Sequence, residues 1–67
     1  MFIIKFQFPE GNTILADVNS VPKVGEICRM ENDSFSKHYR VGAVWHNIYP
    51  GAANIRKTSI DVILELP

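Results

Sequence analysis

Tyr39-Arg-Val-Gly-Ala-Val-Trp-His-Asn-Ile-Tyr49 is the stretch on which the fold turns, and it holds the chain's single tryptophan and both tyrosines. Apolar alternation runs through Tyr39 and Val41, then resumes at Val44, His46 and Ile48 with its parity reversed across Gly42-Ala43. Successive side chains of a strand point to opposite faces, so reversed parity is what one inserted residue in a β-ladder produces. The reading is a long strand with a glycine-marked bulge. Bulges bend and twist a strand, which lets this segment wrap from one side of a small barrel to the other. With Val44, His46 and Ile48 inward, Trp45, Asn47 and Tyr49 face outward.

Working outward, Phe2 to Phe8 sets Phe2, Ile4, Phe6 and Phe8 on one face and predicts a first strand. Pro9-Glu-Gly-Asn12 supplies turn chemistry, with Gly11 suited to the left-handed position before a returning strand. That strand, Thr13 to Val18, places Ile14, Ala16 and Val18 toward the core. Pro22 to Glu26 reads as an irregular connection with a tight bend at Gly25, and a third strand runs from Glu26 to about Met30. The run from Glu31 to His38 is polar and turn-rich except for Phe35, so it predicts a loop whose aromatic folds back as a lid or stays exposed. After the bent strand, Pro50 to Ser59 is the longest connection, with room for a helical turn. Ile60, Val62, Leu64 and Leu66 alternate in a closing strand.

A chain of 67 residues forms one domain, and a domain this small buries only about 60% of the surface its unfolded form exposes. Disulfides, metals or oligomerisation commonly offset such a deficit. The single cysteine, Cys28, excludes an intrachain disulfide. Together with His38 and His46 it matches no zinc spacing, so no metal and no cofactor is expected. Self-association or unusually good packing is the remaining route.

Seven basic residues balance seven acidic ones, which removes any long-range pull toward nucleic acid or an anionic membrane. The apolar start, Met1 to Phe8, lacks a basic leader region and is interrupted by Lys5, so neither a secretory signal nor a membrane span is expected. One unpaired cysteine and no export signal favour the cytoplasm. Asn32-Asp-Ser34 matches a glycosylation sequon but reads as loop composition.

For chemistry, a Cys28 nucleophile would need a depressed thiol pKa and a nearby imidazole, and the sequence signals neither, so Cys28 reads as a small buried hydrophobe and the chain as no enzyme. His46 reads as a hydrogen-bonded, half-buried side chain and His38 as solvated. Trp45 is the most informative residue. With Tyr49, Arg40, Asn47, Ile3 and Ile63 it predicts an outward, partly apolar partner-binding surface. An alternative use is single-stranded nucleic acid, with Arg40, Trp45, Tyr49, Arg56 and Lys57 as a basic-aromatic patch.

Five strands with short polar connections and no helix-period segment predict an all-β meander, closed or nearly closed: a five-stranded SH3-like barrel first, an OB-like barrel second. Val21-Pro-Lys-Val-Gly-Glu-Ile-Cys28, Tyr39-Arg-Val41, Val44-Trp-His46 and Val62-Ile-Leu64 together resemble a pattern of short SH3-like proteins of bacteria and their phages. In that pattern a proline, a Gly-acid pair and a Tyr-x-Val strand recur in this order. The match spans about residues 21 to 66 and departs from the pattern at Cys28 and in the polar loop around Phe35. The resemblance implies the fold and a prokaryotic or phage origin, with no assigned activity. The expected function is protein binding, either of its own copies as a homo-oligomer or of a larger host or phage protein.

Overall fold

The computed structural model describes residues 2–31, 33–34, 36–48 and 59–67. Among them the chain is all β, with five strands in one sheet curled into a half-barrel, consistent with a small SH3-like or OB-like barrel. The strands are β1 (Phe2–Gln7), β2 (Thr13–Val18), β3 (Ile27–Glu31), β4 (Ser36–Asn47) and β5 (Ser59–Glu65). No helix among the described residues is long and apolar enough to cross a membrane.

The sheet order is β2-β1-β5-β4-β3. Chain neighbours therefore pair at every step but one, β2 to β3, and the first strand pairs with the last. In a meander successive strands reverse direction, so the first and fifth run the same way. The β1–β5 ladder is accordingly parallel, joining Ile4 to Ile60 and Phe6 to Val62, whereas the other three ladders are antiparallel. The sheet thus curls without closing, and its open seam lies between β2 and β3.

Period-2 alternation places Ile4, Phe6, Phe8, Tyr39, Val41, Val62 and Leu64 on the concave face, where they form the buried core. Ala16, Val18, Cys28, Met30, Val44 and Ile60 pack around them half-buried. Coverage thins toward the ends of the strands. Phe2, Ile14 and Leu66, all expected on the core side, remain largely exposed.

Two glycines turn the chain by adopting backbone that other residues resist. Gly11 has φ 105° and closes the β1–β2 hairpin, its N–H donating to the Phe8 carbonyl at 2.9 Å. Gly25 has φ 94° in the bend before β3, where the Glu26 N–H donates to the Lys23 carbonyl and the Lys23 N–H to Glu26 Oε1. Both turns match the expectation from the sequence.

The bulge in β4 sits where the parity reverses. Val41 opposes Leu64 and Ala43 opposes Ile63, which leaves Gly42 as the extra residue. Its backbone does not require glycine, since among the described residues only Gly11 and Gly25 have positive φ. Space favours it only mildly: a Cβ at Gly42 would lie 2.6 Å from Glu65 Oε2, the movable end of an exposed side chain.

The polar run 31–38 is not the loop expected. Ser36, Lys37 and His38 are the first residues of β4 and Glu31 is the last of β3, with Glu31 opposite Ser36. The reason is position: this hairpin lies at the margin of the core, where Met30 still packs half-buried but Ser36, Lys37 and His38 are exposed, so polar residues suit them. Phe35 and the proposed helical turn in the 50–59 connection lie outside the described residues, save for Ser59, which opens β5.

Candidate interaction surface

Strand parity assigns the convex face to odd-numbered residues in β1, β2 and β5, and the bulge brings Ala43, Trp45 and Asn47 of β4 onto the same side. Three rows of side chains result. Leu15 opposes Lys5, Lys5 opposes Asp61, and Asp61 opposes Trp45, so one row crosses four strands. On one side of it lie Asp17 opposite Ile3, with Ser59 opposite Asn47; on the other, Thr13, Gln7, Ile63 and Ala43.

Trp45 is 60% exposed, Ile3 66% and Leu15 69%, so three large apolar side chains on one face lie open to water. Isolated exposed hydrophobes are ordinary, whereas several on one face of a small sheet are the usual mark of an interface. Ile63 is half-buried and joins the face through Gln7 and Ala43. Asn47 is also half-buried. Its Nδ2 donates to Ser59 Oγ at 3.0 Å and to Asp61 Oδ2 at 3.5 Å, which ties β4 to β5 at the rim. Between Ile3, Lys5 and Leu15 on one side and Asn47, Ser59 and Asp61 on the other lies an open hollow of about 630 Å³.

Arg40 belongs to this convex face, one end removed from Trp45. Its Nε donates to Glu65 Oε1 at 2.8 Å in an exposed ion pair. The structure thus brings together Ile3, Trp45, Asn47 and Ile63 and places Arg40 beside Glu65 at the margin. Tyr49, Arg56 and Lys57 lie outside the described residues. Leu15 lies on this face with Ile3, as its parity predicts, and Lys5 and Asp61 complete the patch, for which strand parity was again the signal.

No family model matches the chain, and neither a curated protein nor a solved structure matches it.

A second polar cluster sits at the seam. The β1–β2 turn reaches across to β4, where Lys37 Nζ donates to Glu10 Oε2 at 2.8 Å and the Tyr39 hydroxyl donates to Glu10 Oε1 and Oε2 at 3.3 and 3.2 Å. The hydrogen bond from Lys37, with the smaller contribution of its charge, holds the Glu10 carboxyl below the usual carboxylate range; the same bond raises Lys37 above the usual lysine range. Phe8 meets the Tyr39 ring edge-on at 5.0 Å, and the Lys37 ammonium lies 5.4 Å from the centre of that ring. Glu10 and Lys37 are 27 residues apart in the chain, too far for sequence reading to pair them.

Two smaller expectations are corrected. His46 lies on the concave face opposite Ile60, as its parity requires, but it is exposed rather than half-buried, because the strand end there runs past the core. Ile48 follows the end of β4 and is 70% exposed for the same reason. Cys28 is half-buried beside the core, opposite Tyr39. Burial, with a smaller contribution from the Glu26 charge, pushes its thiol above the ordinary value, which is the reverse of what a thiolate nucleophile requires.

Proposed function

We propose that the chain is a non-enzymatic protein-binding module of the bacterial or phage SH3-like kind, working in the cytoplasm and engaging protein through the convex face around Trp45. The observation that carries this reading is the outward, 60% exposed Trp45 on one face with Ile3 and Leu15. Aromatic anchors surrounded by aliphatic and mixed-charge neighbours are what hot spots of protein interfaces are made of. The partner is either a further copy of the chain or a larger protein, and Arg40, Asn47 and Ile63 extend the surface.

Single-stranded nucleic acid is the alternative. Here the described neighbours favour protein, because Arg40 is already paired with Glu65 and a carboxylate, Asp61, stands directly opposite Trp45 where a phosphate would approach. The deciding experiment compares wild type with Trp45→Ala in capture of a defined partner, and titrates Trp45 fluorescence with short oligonucleotides at low and high salt. Loss of protein capture in Trp45→Ala, with no oligonucleotide response, is expected. Salt-sensitive quenching by oligonucleotides would replace the protein reading with the nucleic-acid one.

A further inference from the structure

The seam leaves two strand edges without a partner among the described residues, the far side of β2 and the far side of β3. Unpaired edges are templates for pairing with another chain, and proteins usually blunt them with charge, proline or a bulge. β3, Ile27-Cys-Arg-Met-Glu31, is blunted by Arg29 and Glu31. β2, Thr13-Ile-Leu-Ala-Asp-Val18, has a single charge, Asp17, no proline and no bulge, with Ile14 45% and Leu15 69% exposed on its two faces.

We propose that a second copy of this chain pairs with the β2 edge, antiparallel across a two-fold axis through Leu15. The register follows from faces and charge. Directly opposed residues in a sheet share a face, so the two copies of β2 meet only with residues of like parity opposed. Centring on Asp17 would set two carboxylates face to face, and centring on Ala16 would set Leu15 against Asp17. Centring on Leu15 opposes leucine to leucine, Ile14 to Ala16 and Thr13 to Asp17, where the hydroxyl has an acceptor. Every cross-strand pair is then compatible. The two five-stranded sheets become one sheet whose convex face is continuous through Leu15 and Ile3 of each copy. This goes beyond the Trp45 reading, because the copies meet at β2 and leave Trp45 free.

The test uses the whole chain in sedimentation equilibrium up to about 1 mM, together with cysteine crosslinking in a Cys28→Ala background. A species of twice the 7.6 kDa monomer mass is expected. Leu15→Cys should form a disulfide dimer on mild oxidation. Asp17→Cys should not, since in this register the two positions 17 lie about 13 Å apart along the strands. Leu15→Lys should weaken the dimer by about tenfold or more, as like charges then oppose directly, while Trp45→Ala should leave it intact. A strict monomer, crosslinking through position 17 rather than 15, or a dimer lost in Trp45→Ala and kept in Leu15→Lys would each overturn the proposal. The last result would leave the Trp45 surface as the self-association site.

Discussion

Deleting Gly42 should be the most benign deletion in β4. The residue is extra to the ladder: Val41 faces Leu64 and Ala43 faces Ile63, with nothing on β5 opposite Gly42. Its removal closes the bulge into a regular strand in which Val41 and Val44 still point inward and Trp45 still points outward. What is lost is the local bend that swings the first half of β4 toward β1. The contact most exposed to that loss is the Phe8–Tyr39 edge-on pair at 5.0 Å, so the expected cost is about 0.5–1.5 kcal/mol. Deleting Arg40 instead shifts the preceding residues by one place, which turns Tyr39, now 4% exposed, outward and His38 inward. Exposing one such side chain costs about 1.5–3 kcal/mol, and the introduced polar group adds about 1–3 kcal/mol. Against a total stability of about 3–5 kcal/mol for a domain of this size, that variant should not fold. Urea titration followed by far-UV circular dichroism and Trp45 emission distinguishes the two. If deletion of Gly42 unfolds the chain as thoroughly as deletion of Arg40, or moves Trp45 emission to the blue, the bulge is misplaced and the outward orientation of Trp45 falls with it.

Four further outcomes are expected. Gly42→Ala keeps the residue count but places a Cβ 2.6 Å from Glu65 Oε2; the carboxylate swings aside, the exposed Arg40 pair opens, and stability falls by about 0–1 kcal/mol in a denaturant titration. Ile4→Ala removes a side chain with no exposure at the crossing of the β1–β2 and β1–β5 ladders; at about 2–5 kcal/mol it consumes most of the stability, and circular dichroism should show a largely unfolded chain at 25 °C. The Glu10 carboxyl is held low, so its link to Lys37 and Tyr39 contributes at pH above the usual carboxylate range and is lost as pH falls through the depressed value. Lys37 is held high, so that contribution persists below the usual lysine range and is lost as pH rises through the raised value. NMR titration of Glu10 should show the depression in wild type and a smaller one in Lys37→Met, where the backbone and Tyr39 hydrogen bonds remain. Cys28 should react with iodoacetamide more slowly in the native chain than in urea, with the native rate still climbing beyond the ordinary thiol pKa; equal rates would show the thiol to be unprotected.

The parts of this fold that were legible in the sequence are those decided by a few neighbouring residues. The parity reversal between Val41 and Val44, the turn at Gly11 and the bend at Gly25 each follow from local sterics, and Ile4, Phe6, Val62 and Leu64 declare their face by alternation. The start of β4 was not legible, because Ser36, Lys37 and His38 are exposed at the margin of the core and so carry no apolar period. Alternation likewise names a face but not its depth, which is why His46 has the expected side yet stays exposed, as does Ile48 past the strand end. At the candidate site, Trp45, Ile3 and Ile63 could be placed on one face by parity alone. Their juxtaposition with Lys5 and Asp61 needed the registers of the β1–β5 and β4–β5 ladders, and the Glu10–Lys37–Tyr39 cluster needed the tertiary fold.

The parallel pairing of β1 with β5 also bears on how the chain reaches this structure. Ile4 sits beside Ile60 at the middle of the sheet, so the β1–β5 ladder joins residues more than fifty positions apart in the chain. High contact order of this kind places folding in the millisecond-to-second range rather than the microsecond range of local topologies. Until that step, the β1–β2 hairpin and the β3–β4 hairpin are separate pieces, each with an uncovered apolar face. A circular permutant joining β5 to β1 would need a crossover of about a dozen residues, because the two strands are parallel, but that is still far shorter than the present loop, so it should fold faster without a comparable change in its unfolding rate.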